Sequence, residues 1–149
     1  MGERSGRRLS RQDRYPAPMT AKLNLQSGTE APATAGDWVM GHCRQAGLGD
    51  STAFRVMTCV VEAVNNCVEH AYRDQPGEIG IRLFRNAHWL VVQVRDRGEP
   101  VERRTAPAEP DPLQIDGRGW YITQQWMDVA QYRRRRLGNA VTLAKCLEE

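Results

Sequence analysis

The chain lacks most of the marks that settle a function early. No apolar run reaches the roughly 18–20 residues of a membrane span, and no apolar segment follows the N-terminus as in a secretory signal. The expectation is a cytoplasmic protein with no membrane partner. Cys43, Cys59, Cys67 and Cys146 form no CxxC pair and stand at no zinc-ligand spacing to a histidine. That argues against a zinc site and for small buried thiols in a reducing compartment. A GxxxxGK[ST] phosphate loop and a GxSxG nucleophile elbow are both missing. No internal repeat is present, and 149 residues make one domain able to bury a core without staples.

Surplus charge is also missing from most of the chain. Residues 1–18 hold Arg4, Arg7, Arg8, Arg11 and Arg14 against Glu3 and Asp13, whereas the remainder balances 16 basic with 16 acidic side chains. A general nucleic-acid footprint is therefore not indicated for the folded part. Residues 1–20 are rich in Arg, Ser and Pro without apolar periodicity, and read as a disordered basic tail or an upstream extension ahead of Met19. Residues 21–149 form the expected domain.

Within it, residues 21–26 alternate as an edge strand, and a helix follows from Thr29 or Ala31 to Gln45. Asp50 and Ser51 are candidate N-caps for a second helix, to about Tyr72. Along it Phe54, Met57, Val61, Val64, Val68 and Ala71 repeat at steps of three and four. At about 100° per residue they make one apolar stripe that can face a sheet. Glu62, Asn66 and His70 step by four on nearly the opposite side. Residues 78–84 and 88–95 predict a β-hairpin after the turn RDQPG. A polar stretch over 101–116, with Pro107, Pro110 and Pro112, is long enough to be a lid. A third helix is expected over 120–127, and strands over 129–132 and 141–146. This order fits an α+β fold, a two-layer α/β sandwich with helices on one face of a mixed or antiparallel sheet. Trp38, Trp89, Trp120 and Trp126 read as core or interface. Residues 133–136, all arginine, read as an exposed turn or as a docking patch for an acidic partner.

Three segments carry possible chemistry. Glu62 and Asn66 lie one turn apart: a carboxylate can take a proton, and an amide oxygen with phosphates can hold Mg²⁺. Asp96, ending an apolar strand, can accept from an exocyclic amine, and Gly98 allows close approach of a ring. Gly117, Arg118 and Gly119 run into a helix whose free N–H groups can bind phosphate. Alone, the bland readings prevail: a solvated helix face, a strand-ending turn and a short glycine pair.

In order and spacing, however, EAVNNCVEHAY at 62–72, DRGEP at 96–100 and GRGWYITQQWMD at 117–128 resemble the N, G1 and G2 boxes of the GHKL ATPases. Within that superfamily the chain resembles the anti-sigma-factor serine/threonine kinases (RsbW-like), over about residues 20–147. The resemblance implies a Bergerat-type ATP-binding fold with ATP and Mg²⁺ as cofactors. Glu62 would be the general base, Asn66 the Mg²⁺ ligand, and His70 a neighbour of the phosphate site. Asp96 and Gly98 would receive adenine. Gly117, Arg118 and Gly119 would meet the phosphates, and Asn139 would stand where relatives have Thr near adenine. The lid departs from the pattern in having no glycine-rich run, and Trp120 replaces the usual Leu. The implied function is phosphorylation of a STAS-domain antagonist with sequestration of a sigma factor, in a chain that pairs with itself through its first strand and helix. An ATP-gated binding switch without kinase activity is the alternative. A nucleic-acid binder and a two-component histidine kinase fit less well: the folded part has balanced charge, and no helical pair precedes the domain.

Overall fold

The computed structural model describes residues 18–100 and 115–147, with only the backbone for 115–118. Residues 1–17 of the expected tail over 1–20 and 101–114 of the expected lid over 101–116 lie outside these residues; of the remainder, Met19 and Thr20 are in a strand and Ile115 and Asp116 in a helix. Strand β1 spans Met19–Gln26 and alternates half-buried and exposed side chains along its length. Helix α1, Ala31–Gln45, begins with a proline in its first turn, where the missing N–H costs nothing. Helix α2 is Asp50–Asn66. A π-helical turn, Cys67–Ala71, continues it. Strands β2, Glu78–Arg85, and β3, Trp89–Asp96, form the hairpin. Helix α3, Ile115–Trp126, and strands β4, Val129–Arg134, and β5, Asn139–Cys146, close the fold.

The strands lie in the order β1-β2-β3-β5-β4, so β1 is at an edge, as its pattern predicts. Every described pairing is antiparallel, which makes this sheet antiparallel rather than mixed. Tight connections explain two of the pairings. Asn86 accepts from the backbone N–H groups of His88 and Trp89, both at 2.8 Å, and turns β2 into β3. Gly138, at φ +100°, turns β4 into β5 with its carbonyl accepting from Arg135 N–H at 3.0 Å.

One face of the sheet builds the core. Ile79, Ile81, Leu83, Leu90, Val92, Val94 and Leu143 project from it and are almost wholly buried. Each such side chain contributes about 1.5–3 kcal/mol by leaving water. Against them lie Ala35, Val39 and Cys43 of α1 and Val56, Val60 and Val64 of α2.

The apolar stripe expected on α2 is its buried face only in part: Val64, Val68 and Ala71 are buried, but the first half of the stripe is not. Ala53, Val56, Cys59, Val60, Ala63 and Val64 are buried, while Phe54 is 54% exposed. The cause is that α2 lies between two helices. Met57 and Val61 pack sideways on α1 at Gly36, where an added Cβ would stand 2.8 Å from Val61 Cγ2. The small residues Ala53, Cys59 and Ala63 then bring the helix close to its neighbours. Its N-cap is Gly49 rather than Asp50 or Ser51, and Asp50 instead occupies the first turn, where a carboxylate favours the helix dipole. Of the tryptophans, Trp38 and Trp126 pack on the core, but Trp89 is 37% exposed.

At the far end of the hairpin Arg85 is 7% exposed, and its Nε–H is buried with no hydrogen-bond partner. Nearby His42 meets Trp38 edge to face, with ring centroids 4.6 Å apart. Burial first, and the Arg85 charge second, hold His42 below its ordinary 6.5. The unfolded chain therefore binds this proton more readily than the folded one. His42 costs the fold nothing above pH 6.5 and destabilises it progressively as pH falls below that value. The melting temperature of the wild type should fall more between pH 7.5 and pH 5.5 than that of His42→Gln. Thermal melts at both pH values check this, and parallel behaviour of the two proteins would contradict it.

Candidate functional site

The segment 62–72 touches both of the other two motif segments. On one side, α2 presents the half-buried Glu62 to α3 at Gly119. A Cβ added to Gly119 would stand 1.9 Å from Glu62 Oε1 and 2.2 Å from its Cδ. Thr123, 3% exposed, donates to Gly119 O at 2.7 Å and also hydrogen-bonds Cys59 on α2. Burial raises the Cys59 thiol above its ordinary range, and the adjacent Glu62 charge adds to the effect.

On the other side, the π turn meets the end of β3. Its i→i+5 closure is Tyr72 N–H to Cys67 O, 2.9 Å. Such turns occur mostly as single insertions in α-helices, frequently at functional sites. Here the turn brings Ala71 O to the backbone of the DRGEP loop, where it accepts from Glu99 N–H at 2.8 Å. A Cβ on Gly98 would lie 2.3 Å from that same oxygen, so only glycine fits. Arg73 and Asp74 follow in left-handed conformation, at φ 49° and 60°, and end the helix.

Asp96 is 4% exposed and ends β3 on the core side. Its Oδ1 accepts from Gly98 N–H at 2.9 Å and from Asn139 Nδ2 at 2.7 Å. Its Oδ2 accepts from the Cys67 thiol at 3.2 Å. Asn139, the first residue of β5 and 2% exposed, also donates to Glu99 O at 2.8 Å, while the Tyr132 hydroxyl donates to its Oδ1. A carboxylate has about four acceptor positions. Three are used here, one of them by a weak thiol donor, so Oδ2 can still accept from an amine. Gly138 lies against the backbone of this acid, since a Cβ there would reach 1.9 Å from Asp96 O.

The structure thus sets Glu62 against Gly119 and groups Asp96 with Gly98 and Asn139, with corrections to the remaining expectations. Gly117, Arg118 and Gly119 do not precede a helix; α3 begins at Ile115 and takes them in. By helix geometry the N–H groups of Gly117 and Arg118 still fall among the first four, which lack intrahelical acceptors. Gly119 N–H does not, and this glycine lies directly against the Glu62 side chain. His70 lies beyond the change to π winding, which takes it off the four-residue row of Glu62 and Asn66. Its Nε2 is 3.8 Å from Glu69 Oε2. Three supporting residues escaped the sequence reading: Cys67, Thr123 and Tyr72. Tyr72 OH accepts from Arg97 N–H at 2.8 Å and donates to Glu78 O, tying the turn to both hairpin strands. Only its position directly after His70 and Ala71 hinted at a role.

These features match one known family. The profile of the histidine kinase-like ATPase domain matches residues 25–145. The chain belongs to that family. Its resemblance to anti-sigma-factor kinases is also supported. It is 36% identical over 78 residues to the anti-sigma F factor of Caldanaerobacter subterraneus subsp. tengcongensis, 49% of this chain and 54% of that one. It is 30% identical over 99 residues to the anti-sigma F factor of Anoxybacillus flavithermus, 62% of this chain and 68% of that one. The chain therefore spans about half the length of the first of these relatives. In fold it is similar to the crystal structure of the RsbU and RsbW domains of Rv1364c from Mycobacterium tuberculosis, with a TM-score of 0.65 and 18% identity over 85% of this chain and 31% of that one.

This family implies ATP, and the acceptor position left on Asp96 Oδ2 suits an exocyclic amine. Among the described residues no three His, Cys, Asp or Glu side chains cluster to cage a metal.

The contact between Gly119 and Glu62 gives a sign-reversing prediction. In the wild type, Gly119→Ala should destabilise, because the new Cβ overlaps the Glu62 side chain. In a Glu62→Ala background the overlap is gone, and alanine should stabilise α3 by about 0.5–1 kcal/mol over glycine. Urea unfolding of the four proteins measures this. Equal effects in both backgrounds would show that the contact is absent.

Proposed function

We propose that the chain is an ATP-dependent protein serine/threonine kinase and a partner-switching regulator. Residues 21–149 would be its nucleotide domain. The observation that carries this reading is that the helix bearing Glu62 and Asn66 contacts both the Asp96–Gly98 turn and Gly119. A site for adenine at Asp96 and a site for phosphates at the start of α3 then flank one helix.

In this reading Asp96 accepts from the adenine amino group, and Gly98 leaves room for the ring. Asn66 supplies an oxygen to Mg²⁺, and the N–H groups of Gly117 and Arg118 receive phosphate oxygens. ATP supplies the phosphoryl group. Glu62 takes the proton of the attacking serine hydroxyl, and the rest of catalysis is positioning and electrostatics. His70 and Asn139 border the site as neighbours of its phosphate and adenine ends. The substrate would be a STAS-domain antagonist, and a sigma factor would be the protein held when the antagonist is phosphorylated. A cytoplasmic location suits both, and no described helix is long and apolar enough to cross a membrane. β1, at the edge of the sheet, supports pairing of two copies through the first strand and helix.

A second reading has one observation of its own. Glu62 lies against Gly119, so it can serve to fasten α3 and need not act as a base. The protein would then be an ATP-gated binding switch without transfer, in which nucleotide shifts partner affinity.

Glu62→Gln keeps the packing at Gly119 and removes the base. With a STAS-domain protein and radiolabelled ATP, this variant should lose at least about a hundredfold in transfer rate, the usual scale for a general base. Its ATP affinity should be nearly unchanged. Wild-type transfer by the variant would refute the base assignment, and ATP binding with no transfer by the wild type would favour the switch.

A further inference from the structure

The sheet has a second face, and among the described residues no helix covers it. Strand register sorts that face into rungs. One runs Lys22, Arg82, Gln93, Thr142 and Gln131; the next runs Asn24, Gly80, Arg95, Ala140 and Arg133. A third is apolar: Phe84, Val91, Ala144 and Val129 follow Thr20 across the sheet. The charges are therefore at one end of the face and the apolar groups at the other.

Lys22, Arg82, Arg95, Arg97 and Arg135 line a hollow of ≈ 290 Å³. Two carboxylate residues border it. Glu78 is exposed, and Asp96 turns both oxygens to Gly98, Asn139 and Cys67. A wider hollow of ≈ 990 Å³ shares Arg95, Arg97 and Arg135 and extends to Arg133 and Arg136. Arg95 is at the centre of the cluster, with its Nε–H buried and without a hydrogen-bond partner. Its pKa is lowered, by burial first and then by Arg135, Arg82 and Arg133. Crowding of like charge opposes folding, and an incoming anion relieves it.

The size and surroundings of the cluster select the anion. From β1 to β4 the face crosses four strand spacings, roughly 19 Å at about 4.8 Å each. A single phosphate group does not span that width, but an extended acidic segment does. Beside it Phe84 and Trp89 are 40% and 37% exposed, an aromatic and aliphatic flank of the kind that anchors protein partners. A second copy of this chain would set the same cations against themselves. The balanced charge of the folded part disfavours a polynucleotide.

We propose that the open face of the sheet docks an acidic protein segment. Its carboxylates lie across Lys22, Arg82, Arg95, Arg97 and Arg135, and an apolar side chain rests on Phe84 and Trp89. This surface is on the side of the sheet away from the helix that carries Glu62 and Asn66, so it stands or falls apart from the nucleotide reading.

The test uses the full chain and a fluorescein-labelled peptide of eight glutamates followed by two leucines, read by fluorescence anisotropy. Saturable binding is expected at 50 mM salt, weaker at 200 mM because these charges are open to solvent. Arg82→Glu with Arg95→Glu should weaken it by at least about tenfold. The milder pair Arg82→Ser and Arg95→Ser should act in the same direction, and Phe84→Ser should weaken it several-fold. Arg7→Ser with Arg8→Ser in the tail should leave it unchanged. Melting curves of each variant separate lost binding from lost fold. The proposal is overturned if no peptide binds, if the arginine variants bind as well as wild type, if the tail variant alone loses binding, or if a ten-nucleotide oligothymidine binds more tightly than the peptide.

Discussion

A carboxylate at 4% exposure must be given donors, because burying it without them costs several kcal/mol. Asp96 has three, and they come from three places: the Gly98 backbone, the Asn139 amide on β5 and the Cys67 thiol on the π turn. Satisfying this one group joins the end of β3, the start of β5 and the end of the α2 segment. The close approach of Gly98 to Ala71 and of Gly138 to Asp96 O follows from the same junction. The site depends on this arrangement, since the helix that carries Glu62 and Asn66 is held in position at its far end by Asp96.

The fold places two chemistries on opposite sides of one sheet. The helical side gathers the carboxylates, amides and glycines that the proposed function assigns to nucleotide. The open side gathers guanidinium groups. Arg135 is the closest link between them, with Nη1 3.5 Å from Asp96 O. Three of the four cysteines illustrate the same division of space: the thiols of Cys43, Cys59 and Cys67 are in no disulfide and are buried on the helical side. Burial pushes Cys43 up to about 11, so it behaves as a small apolar residue at neutral pH.

Much of this was legible in the sequence, for physical reasons that also mark where legibility ends. Strand alternation identified β1 and the hairpin to within about two residues, because one face of each strand is buried and period two is hard to disguise. The three motif segments were legible because their chemistry is local, and the fold sets them in contact with one another. The buried face of α2 was misread because a helix packed between two others buries more than one stripe, and Met57 and Val61 serve α1 and not the sheet. The start of α3 was misread because glycine signals both a break and a close approach, and only the position of Glu62 decides which applies at Gly119. The arginine surface was half visible. Residues 133–136 stood out as a run, but Arg82, Arg95 and Lys22 join them only through strand register, which a single sequence does not print.

The central claim is that the Asp96 junction and α2 together form a Mg²⁺-dependent ATP site. Calorimetric titration with ATP, with and without Mg²⁺, on the wild type and on Asn66→Ala tests it most directly. The account predicts saturable binding that needs Mg²⁺ and is lost in Asn66→Ala while the variant stays folded. ATP binding that is indifferent to Mg²⁺ and to Asn66, or no binding by the folded wild type, would contradict it.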